Sequence, residues 1–435
     1  MRSARGTEIT SPVSAASSGK TAPYVTAAIL AAGAGLMAWR LVGFEQPPFA
    51  LDAPIVQSAI GVFTVSQQRA AALYQSQIVW PVTLSLAAST AMAIVLGFTR
   101  LGTRLVHASE GWLRRPPFAA FGVVVCLLVL GALASLPFDV WAYFVRRDAG
   151  LVVASLGTWF TDRAIALGVT VGIGIIVVAV VLACVHVARA RWWIPAAAIA
   201  AIAVIVGAWL TPVLIEPLFS HTTPLAATKY ADQLDGIQRL AREDDFDAQH
   251  VLVSDASAKS TMLNAYVSGF GGRIVLYDTL LASSDPRTVR MVVAHELSHA
   301  KHQDVLVGAV IGGVSLAAFV ALLGAWFPRV GTAQLPRIFA IVAIAMVLIL
   351  PATNYLSRSL EWRADEHALA LTKDPRAFIA MQQALAVANK SALDPAAWRY
   401  WMFFTHPTSP QRIALGRAWL QTQTSARSQP PSTSR

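Results

Sequence analysis

The residues His295-Glu296-Leu297-Ser298-His299 have the types and the spacing to bind a metal ion and activate water. Residues four apart lie on the same face of a helix, so both imidazoles can reach one metal. Glu296 is rotated by roughly 100° from His295, where its carboxylate can accept a proton from water beside that metal. Two histidine ligands and a glutamate general base are typical of a zinc peptidase. We therefore predict one zinc ion per chain at this motif.

A catalytic zinc site needs a third protein ligand and an open coordination position. The side chains that could supply the third ligand are His302, Asp304, Glu361, Asp365 and His406. His302 lies farther along the same helix, and a ligand there is not expected to reach a metal already held by the first pair. The choice among the others depends on how the chain returns to the motif.

The composition places this chain in a membrane. Of its 435 residues, 55% are hydrophobic and only 13% are charged, against about 25% in ordinary globular proteins. Two cysteines, Cys126 and Cys184, lie in apolar runs and suggest neither a disulfide framework nor a cysteine metal site. The net charge of +10 comes from arginines that flank apolar segments rather than from a compact basic domain, which argues against nucleic acid as a partner.

Seven apolar stretches have the length of about 20 residues that a membrane span requires. They are 23–43, 78–98, 118–138, 164–188, 192–214, 305–327 and 337–355. The fold class predicted is an all-α membrane protein of about seven transmembrane helices, with a small α+β zinc-peptidase domain inserted between spans five and six. The predicted divisions are a disordered tail 1–21, membrane helices 22–219, a soluble catalytic region 220–304, a membrane hairpin 305–355, a helical part of the catalytic domain 356–421 and a disordered tail 422–435.

The soluble region 220–304 predicts a small sheet beside the motif helix. His250–Ser254, Asn264–Phe270 and Arg273–Tyr277 have the pattern of short strands, and Gly271-Gly272 supplies a two-residue hairpin turn between the last two. Ser283-Ser284-Asp285-Pro286 is typical of a helix start, with an N-cap residue followed by proline. We expect the helix that begins there to continue directly into the span 305–327.

The membrane hairpin 305–355 favours Glu361 as the third ligand. A span of about 20 residues rises about 30 Å, so one span out and one back returns the chain to the face it left. The segment after the hairpin then emerges beside His299, and its polar residues recur at spacings of 4, 3 and 4 along one helical stripe: Asn354, Arg358, Glu361 and Asp365. We predict that Glu361 completes the metal site. Asp365 and Arg358 would lie behind it, with Asp365 orienting a histidine ligand through its free ring nitrogen.

The motifs between residues 210 and 415 resemble the membrane-integral zinc endopeptidases typified by the type I CAAX prenyl protease. Those that match are Glu216-Pro217-Leu218-Phe219, Asn264-Ala265-Tyr266, Ile274–Leu280, His295–His299, Asn354…Ser357-Arg358…Glu361…Ala364-Asp365 and His406-Pro407. The resemblance implies that His295, His299 and Glu361 bind zinc and that Glu296 is the general base. It further implies that Asn264, Ala265 and Tyr266 form an edge strand that pairs with a peptide substrate, and that His406 stabilises the oxyanion.

The predicted activity is hydrolysis of peptide bonds in membrane-associated or prenylated CAAX-type peptides, so the partners are a peptide or protein substrate, lipidated or not, and membrane lipid. Three alternatives stay open: a membrane-protein quality-control protease without prenyl specificity, a scaffold whose zinc is inactive, and a transporter. The oligomeric state is not predicted. The resemblance implies a catalytic side in the cytoplasm, whereas the arginines of 99–117 and 189–191 favour the opposite orientation.

Overall fold

The N-terminal half of the protein is a series of long helices. The computed structural model describes residues 15–43, 50–248, 250–268 and 272–428. Its first seven helices are α1 (Ala15–Leu41), α2 (Pro54–Ile60), α3 (Val65–Phe98), α4 (Arg100–Leu113), α5 (Pro116–Asp148), α6 (Leu156–Ala188) and α7 (Trp193–Leu210). The predicted tail therefore overlaps α1 from Ala15 onward, and its residues 1–14 lie outside the described residues.

In the part of the C-terminal half that the structure describes, a four-stranded sheet is combined with eight α-helices. The strands are β1 (Thr222–Pro224), β2 (His250–Ser254), β3 (Ala265–Ser268) and β4 (Arg273–Tyr277). The helices are α8 (Leu234–Glu243), α9 (Asp278–Ser283), α10 (Pro286–Lys301), α11 (Asp304–Trp326), α12 (Leu335–Thr372), α13 (Pro375–Ala388), α14 (Ala397–Phe403) and α15 (Ser409–Ser428). The predicted C-terminal tail is helical as far as Ser428, and 429–435 lie outside the described residues.

Seven of the described helices are long and apolar enough to cross a membrane, which confirms the predicted number of spans. They are α1, α3, α5, α6, α7, α11 and α12, and the sheet lies between the fifth and the sixth. Most extend beyond the predicted spans because hydropathy marks only the part of a helix that matches the lipid. α12, with 38 residues, rises about 57 Å, so it exceeds the roughly 30 Å hydrocarbon core and continues into the catalytic region.

The membrane helices contact one another through small residues. α11 packs against both α1 and α7, while α3 packs against α5 and α12. At the crossing of α7 and α11, a Cβ on Gly324 would overlap the Trp193 ring, and one on Gly313 would lie 2.9 Å from the Ala201 carbonyl oxygen. Small residues at such crossings let helix backbones approach closely in lipid.

The sheet has the order β1-β2-β4-β3, so β3 lies at one edge. β2 and β4 are parallel, and β3 and β4 are antiparallel, as the predicted hairpin requires. Of the predicted turn, Gly271 lies outside the described residues, and Gly272 has φ +68°, which glycine adopts without strain. β1 adds a short antiparallel strand beside β2 that the sequence did not predict.

The helix α10 carries the HExxH motif through the core of the catalytic region. Its N-cap Asp285 accepts hydrogen bonds from the backbone N–H groups of Arg287 and Thr288, as predicted. Val289, Val293 and Leu297 recur every four residues and are buried against the sheet and α12. The prediction that this helix continues directly into the span 305–327 is wrong. Gln303 has φ +53° and separates α10 from α11, because its left-handed conformation cannot continue a right-handed helix.

Candidate active site

His295 and His299 lie one turn apart on α10 and face α12. Their Nε2 atoms are 3.3 Å apart, and the ring planes are nearly perpendicular at 82°. His295 is buried, and the side chain of His299 is 18% exposed. Helical spacing alone therefore turns both nitrogens toward one point.

Glu361 reaches that point from α12. Its Oε2 lies 3.1 Å from His295 Nε2, and its Oε1 lies 3.5 Å from His299 Nε2. A tetrahedral zinc ion with ligand bonds of 2.0–2.1 Å holds its donor atoms about 3.3 Å from one another. The three side chains form the one group of His, Cys, Asp or Glu donors, among the described residues, whose atoms all lie within 4.8 Å. Their separations and their two-nitrogen, one-oxygen chemistry fit zinc.

Glu296 occupies the cavity side of α10, next to the donor group. The backbone N–H of Val267 in β3 donates a hydrogen bond to its carboxylate. Burial raises the pKa of the Glu296 carboxyl, against the opposing effect of the two histidines. A raised pKa brings a carboxylate closer to the range in which it can both accept and return a proton.

The outer nitrogen of each histidine contacts an aspartate. His295 Nδ1 lies 3.0 Å from Asp365 Oδ1, and His299 Nδ1 lies 2.8 Å from Asp304 Oδ2. The structure thus places Asp365 where the sequence predicted it. Asp304, considered from sequence as a ligand, lies behind His299 instead, because the break at Gln303 turns the start of α11 back toward α10.

Arg412 of α15 is a site residue that the sequence did not reveal. Its Nε donates a 2.6 Å hydrogen bond to Asp365 Oδ2, and one of its terminal nitrogens lies 3.4 Å from His295 Nδ1. It lies six residues after His406, but no spacing rule connects an arginine there to a motif more than a hundred residues earlier. Only the packing of α15 against α12 and α13 brings it to the site.

Arg358 lies away from the two histidines. Its guanidinium donates to the carbonyl oxygens of Tyr400 and Phe404 at 3.2 and 2.7 Å, and it stacks over the Tyr400 ring at 4.5 Å. Asn354, on the same stripe, donates to the carbonyl oxygen of Met402 at 2.7 Å. The stripe therefore has two roles. Asn354 and Arg358 hold the segment 400–404, whereas Glu361 and Asp365 contact the histidines of the donor group.

The segment after Phe404 places His406 beside Glu361. His406 Nε2 lies 3.3 Å from Glu361 Oε2, and the side chain is 55% exposed. Its Nδ1 lies 2.8 Å from Thr405 Oγ1. In contrast, Nδ1 of His302 lies 2.8 Å from the carbonyl oxygen of Ser298 on α10, so His302 does not reach the donor group.

A cavity of about 700 Å³ opens beside the donor group and runs along the segment 262–265, which leads into β3. Its wall includes His295, Glu296, His406, Asn264 and Ala265. Asn264 accepts a hydrogen bond from the Tyr277 N–H of β4. Backbone groups alternate sides along a strand, so the N–H and C=O of the next residue, Ala265, face the open edge.

Tyr266 points elsewhere. Its hydroxyl donates a hydrogen bond to Glu216 at the end of the fifth span. It is absent from the cavity wall that the described residues form. Of the three residues predicted to bind substrate, Asn264 and Ala265 border the cavity, while Tyr266 ties the strand to the membrane domain.

Comparisons with known proteins agree with this architecture. The family model of peptidase family M48 matches residues 230–419, and the model of the CAAX prenyl protease N-terminal domain, with five membrane helices, matches 45–221. An uncharacterized metalloprotease, YhfN, of Bacillus subtilis is 29% identical over 310 residues, covering 67% of this chain and 72% of that protein.

Two further relatives extend the comparison. A CAAX prenyl protease 1 homolog of Oryza sativa subsp. japonica is 31% identical over 222 residues, which cover 47% of this chain and half of the rice protein. The crystal structure of Ste24p from S. mikatae superposes with a TM-score of 0.71 over 94% of this chain and 100% of that chain, at 17% identity. This structural likeness shows a shared fold. Together these matches confirm the resemblance, and the chain belongs to peptidase family M48 as a multi-pass membrane metalloprotease related to the CAAX prenyl proteases.

Proposed function

We propose that this protein is a zinc-dependent endopeptidase that cleaves membrane-associated peptides, including prenylated CAAX-type peptides. The observation that carries this proposal is the group of three donor side chains whose nitrogen and oxygen atoms lie 3.1–3.5 Å apart, with a glutamate beside it in an open cavity. Three protein ligands leave one coordination position free, as a hydrolytic zinc site requires and a structural zinc site does not.

His295, His299 and Glu361 would hold the zinc. When bound, zinc supplies a Lewis acid that polarises a carbonyl and lowers the pKa of water toward neutrality. Glu296 accepts the proton of the attacking water and returns it to the amine that leaves when the peptide bond breaks. General acid–base catalysis of this kind contributes typically about 10²–10⁴-fold to a rate.

The substrate would lie along the open edge of β3. The N–H and C=O of Ala265 pair with its main chain, which fixes the scissile bond in the cavity beside Glu296. His406 donates from Nε2 to the carbonyl oxygen as negative charge develops on it. Main-chain pairing recognises extended peptides of varied sequence, so this geometry suits an endopeptidase.

The test uses purified protein in detergent. Zinc content is measured by mass spectrometry, and cleavage is followed with a prenylated peptide ending in a CAAX tetrapeptide and with the same peptide unmodified. We expect one zinc per chain and cleavage of the prenylated peptide. Glu296→Gln should keep the zinc and lose nearly all cleavage, while Glu243→Gln, which changes a carboxylate paired with Arg290 outside the site, should change neither.

The outcomes separate the alternatives. Equal cleavage of both peptides would favour a quality-control protease without prenyl specificity. Zinc without any cleavage would favour a scaffold. Full activity in Glu296→Gln would remove Glu296 from the mechanism.

We also propose that the catalytic side faces the cytoplasm. The resemblance supports this orientation, while the arginine-rich segments 99–117, which includes α4, and 189–191, at the opposite ends of the membrane helices, favour the reverse. Single cysteines placed at Trp112 and Asp232 of a variant without Cys126 and Cys184 decide the matter. A membrane-impermeant thiol reagent added to intact cells should label the first cysteine and spare the second.

A further inference from the structure

Each histidine of the donor group contacts an aspartate, and each of these aspartates contacts an arginine. We infer that Arg412 and Arg363 are positioning residues that set the zinc affinity of the site by fixing Asp365 and Asp304. This inference rests on the proposed function, because it assumes that the two histidines bind zinc. It concerns residues three contacts away from the metal, each acting through an aspartate and a histidine, and the HExxH motif does not specify them.

Arg412 fixes the aspartate behind His295. Its Nε and a terminal nitrogen donate to the two carboxylate oxygens of Asp365, the first at 2.6 Å. The side chain of Asp365 is fully buried and that of Arg412 is 10% exposed. A bidentate arginine–carboxylate pair fixes both the position and the plane of the carboxylate, and burial keeps the pair from rearranging.

Arg363 fixes the aspartate behind His299. A terminal nitrogen of Arg363 donates to Asp304 Oδ1, while the other oxygen, Oδ2, faces His299 Nδ1. A second guanidinium nitrogen donates to the carbonyl oxygen of Leu41 at 3.1 Å, at the end of the first span. Asp304 is buried, and the Arg363 side chain is 24% exposed. This pair is held by fewer contacts than the pair behind His295.

The direction of the hydrogen bonds explains why these pairs matter to the metal. A histidine that binds zinc through Nε2 carries its proton on Nδ1, and that N–H needs an acceptor. Arg412 can only donate, so its 3.4 Å approach to His295 Nδ1 is not a hydrogen bond. Both groups instead donate to Asp365 Oδ1, 3.0 Å from Nδ1. The arginine therefore holds the acceptor oxygen within hydrogen-bond distance of the imidazole N–H.

The position of Arg412 also ties the C-terminal helix to the site. Arg412 lies in the first turn of α15, whereas both histidines lie on α10 and Glu361 lies on α12. Zinc affinity is therefore expected to depend on a helix that supplies no ligand. Arg363, two residues after Glu361, makes the corresponding connection to the first span.

The experiment measures zinc affinity of the full-length protein by competition with a chromogenic chelator. Loss of an outer partner typically weakens metal binding by about 10–100-fold. We expect Arg412→Gln to reach the upper part of that range and Arg363→Gln the lower part. Arg412→Lys should recover only part of the loss, because lysine keeps the charge without the bidentate geometry.

A matched control comes from the same helix. Arg417 of α15 lies farther along the helix than Arg412 and contacts the Ser58 hydroxyl at the surface, so Arg417→Gln should bind zinc like the wild type. Cobalt replaces zinc in a parallel measurement. Its visible absorption reports coordination geometry, and it should change in Arg412→Gln and stay unchanged in Arg417→Gln.

A double variant guards against misfolding. Arg412→Gln alone leaves a buried carboxylate without its cation, which can prevent folding. Asp365→Asn combined with Arg412→Gln removes both charges, and the asparagine carbonyl can still accept from His295 Nδ1. We expect this protein to fold, to bind zinc about 10-fold or more weakly and to show the altered cobalt spectrum.

The outcomes distinguish the two proposals. Wild-type protein that binds no zinc would overturn the proposed function and this inference together. Wild-type zinc affinity and cobalt spectra in Arg412→Gln, or in the double variant where the single one does not fold, would overturn the inference alone. Weaker binding in Arg417→Gln equal to that in Arg412→Gln would show a general effect of α15 and would also overturn it.

Discussion

Replacing Glu361 by glutamine should remove most of the stabilisation that zinc gives this protein. The carboxylate contributes one oxygen 3.1 Å from His295 Nε2 and the other 3.5 Å from His299 Nε2. Glutamine keeps the volume but loses the negative charge and one of the two oxygens. Loss of an outer partner already weakens metal binding by about 10–100-fold, so loss of a direct ligand should cost at least about 100-fold.

The expected size of the effect follows from mass action. At a free zinc concentration of 100 times the wild-type Kd, zinc stabilises the folded protein by about 2.7 kcal/mol. A variant with a Kd 100-fold higher would then be at its own Kd, where the stabilisation is only about 0.4 kcal/mol. Nearly the whole zinc-dependent rise in Tm should therefore disappear in Glu361→Gln.

The assay is thermal unfolding in detergent at buffered free zinc and again with excess chelator. Glu366→Gln is the matched control: Glu366 lies on the same helix, accepts a hydrogen bond from Trp362 Nε1 at 3.1 Å, and glutamine can still accept it. We expect the control to keep the wild-type zinc-dependent shift. An equal shift in Glu361→Gln would refute the assignment of Glu361 as a ligand and with it the proposed mechanism.

Three further outcomes are expected. His406→Ala should keep its zinc and lower kcat by about 10²-fold, as loss of an oxyanion donor does; an unchanged kcat would exclude that role. Ala265→Pro should raise KM by about 2–10-fold, since it removes one main-chain hydrogen bond at a strand edge that tolerates proline; an unchanged KM would place the substrate elsewhere. Asp285→Ala should lower the free energy of unfolding by about 0.5–2 kcal/mol at neutral pH. A hydrogen bond from the Thr288 backbone N–H is the main cause that holds the pKa of Asp285 below its ordinary 3.8, so this difference should be complete above about pH 5 and should shrink as the pH falls through the lower, folded-state pKa; unfolding curves at several pH values measure it.

The sequence was informative wherever a local rule applied. The length of the apolar stretches predicted seven spans, short strand patterns and a glycine turn predicted three of the four strands, and the Asp285-Pro286 pair predicted the start of α10, because each depends on residues close in the chain. The third donor, Glu361, could be predicted from the sequence for a related reason. One span out and one back is a simple geometric constraint on chain direction, and it is sufficient to bring Glu361 of α12 to the motif.

The failures have a common physical cause. The prediction of a continuous helix through residues 301–305 missed the left-handed backbone conformation of Gln303. None of the neighbouring residue types indicated that conformation. Arg358 was expected behind the histidines because it shares a stripe with Asp365. Seven residues are about two turns, or roughly 10 Å along the helix, and over that distance the partner changes from the histidines to the segment 400–404.

By itself the sequence determined which groups are available for chemistry, namely two imidazoles and a carboxylate on one helical turn. It also determined that the chain is too hydrophobic to be a water-soluble protein. Only the tertiary structure decided what surrounds these groups, including the arginine from α15 behind His295 and the turn that brings Asp304 behind His299. The physical reason is the range of the forces involved. Helical spacing is dictated by local backbone geometry, whereas a buried ion pair between distant segments exists only once helices have packed and excluded water from between them.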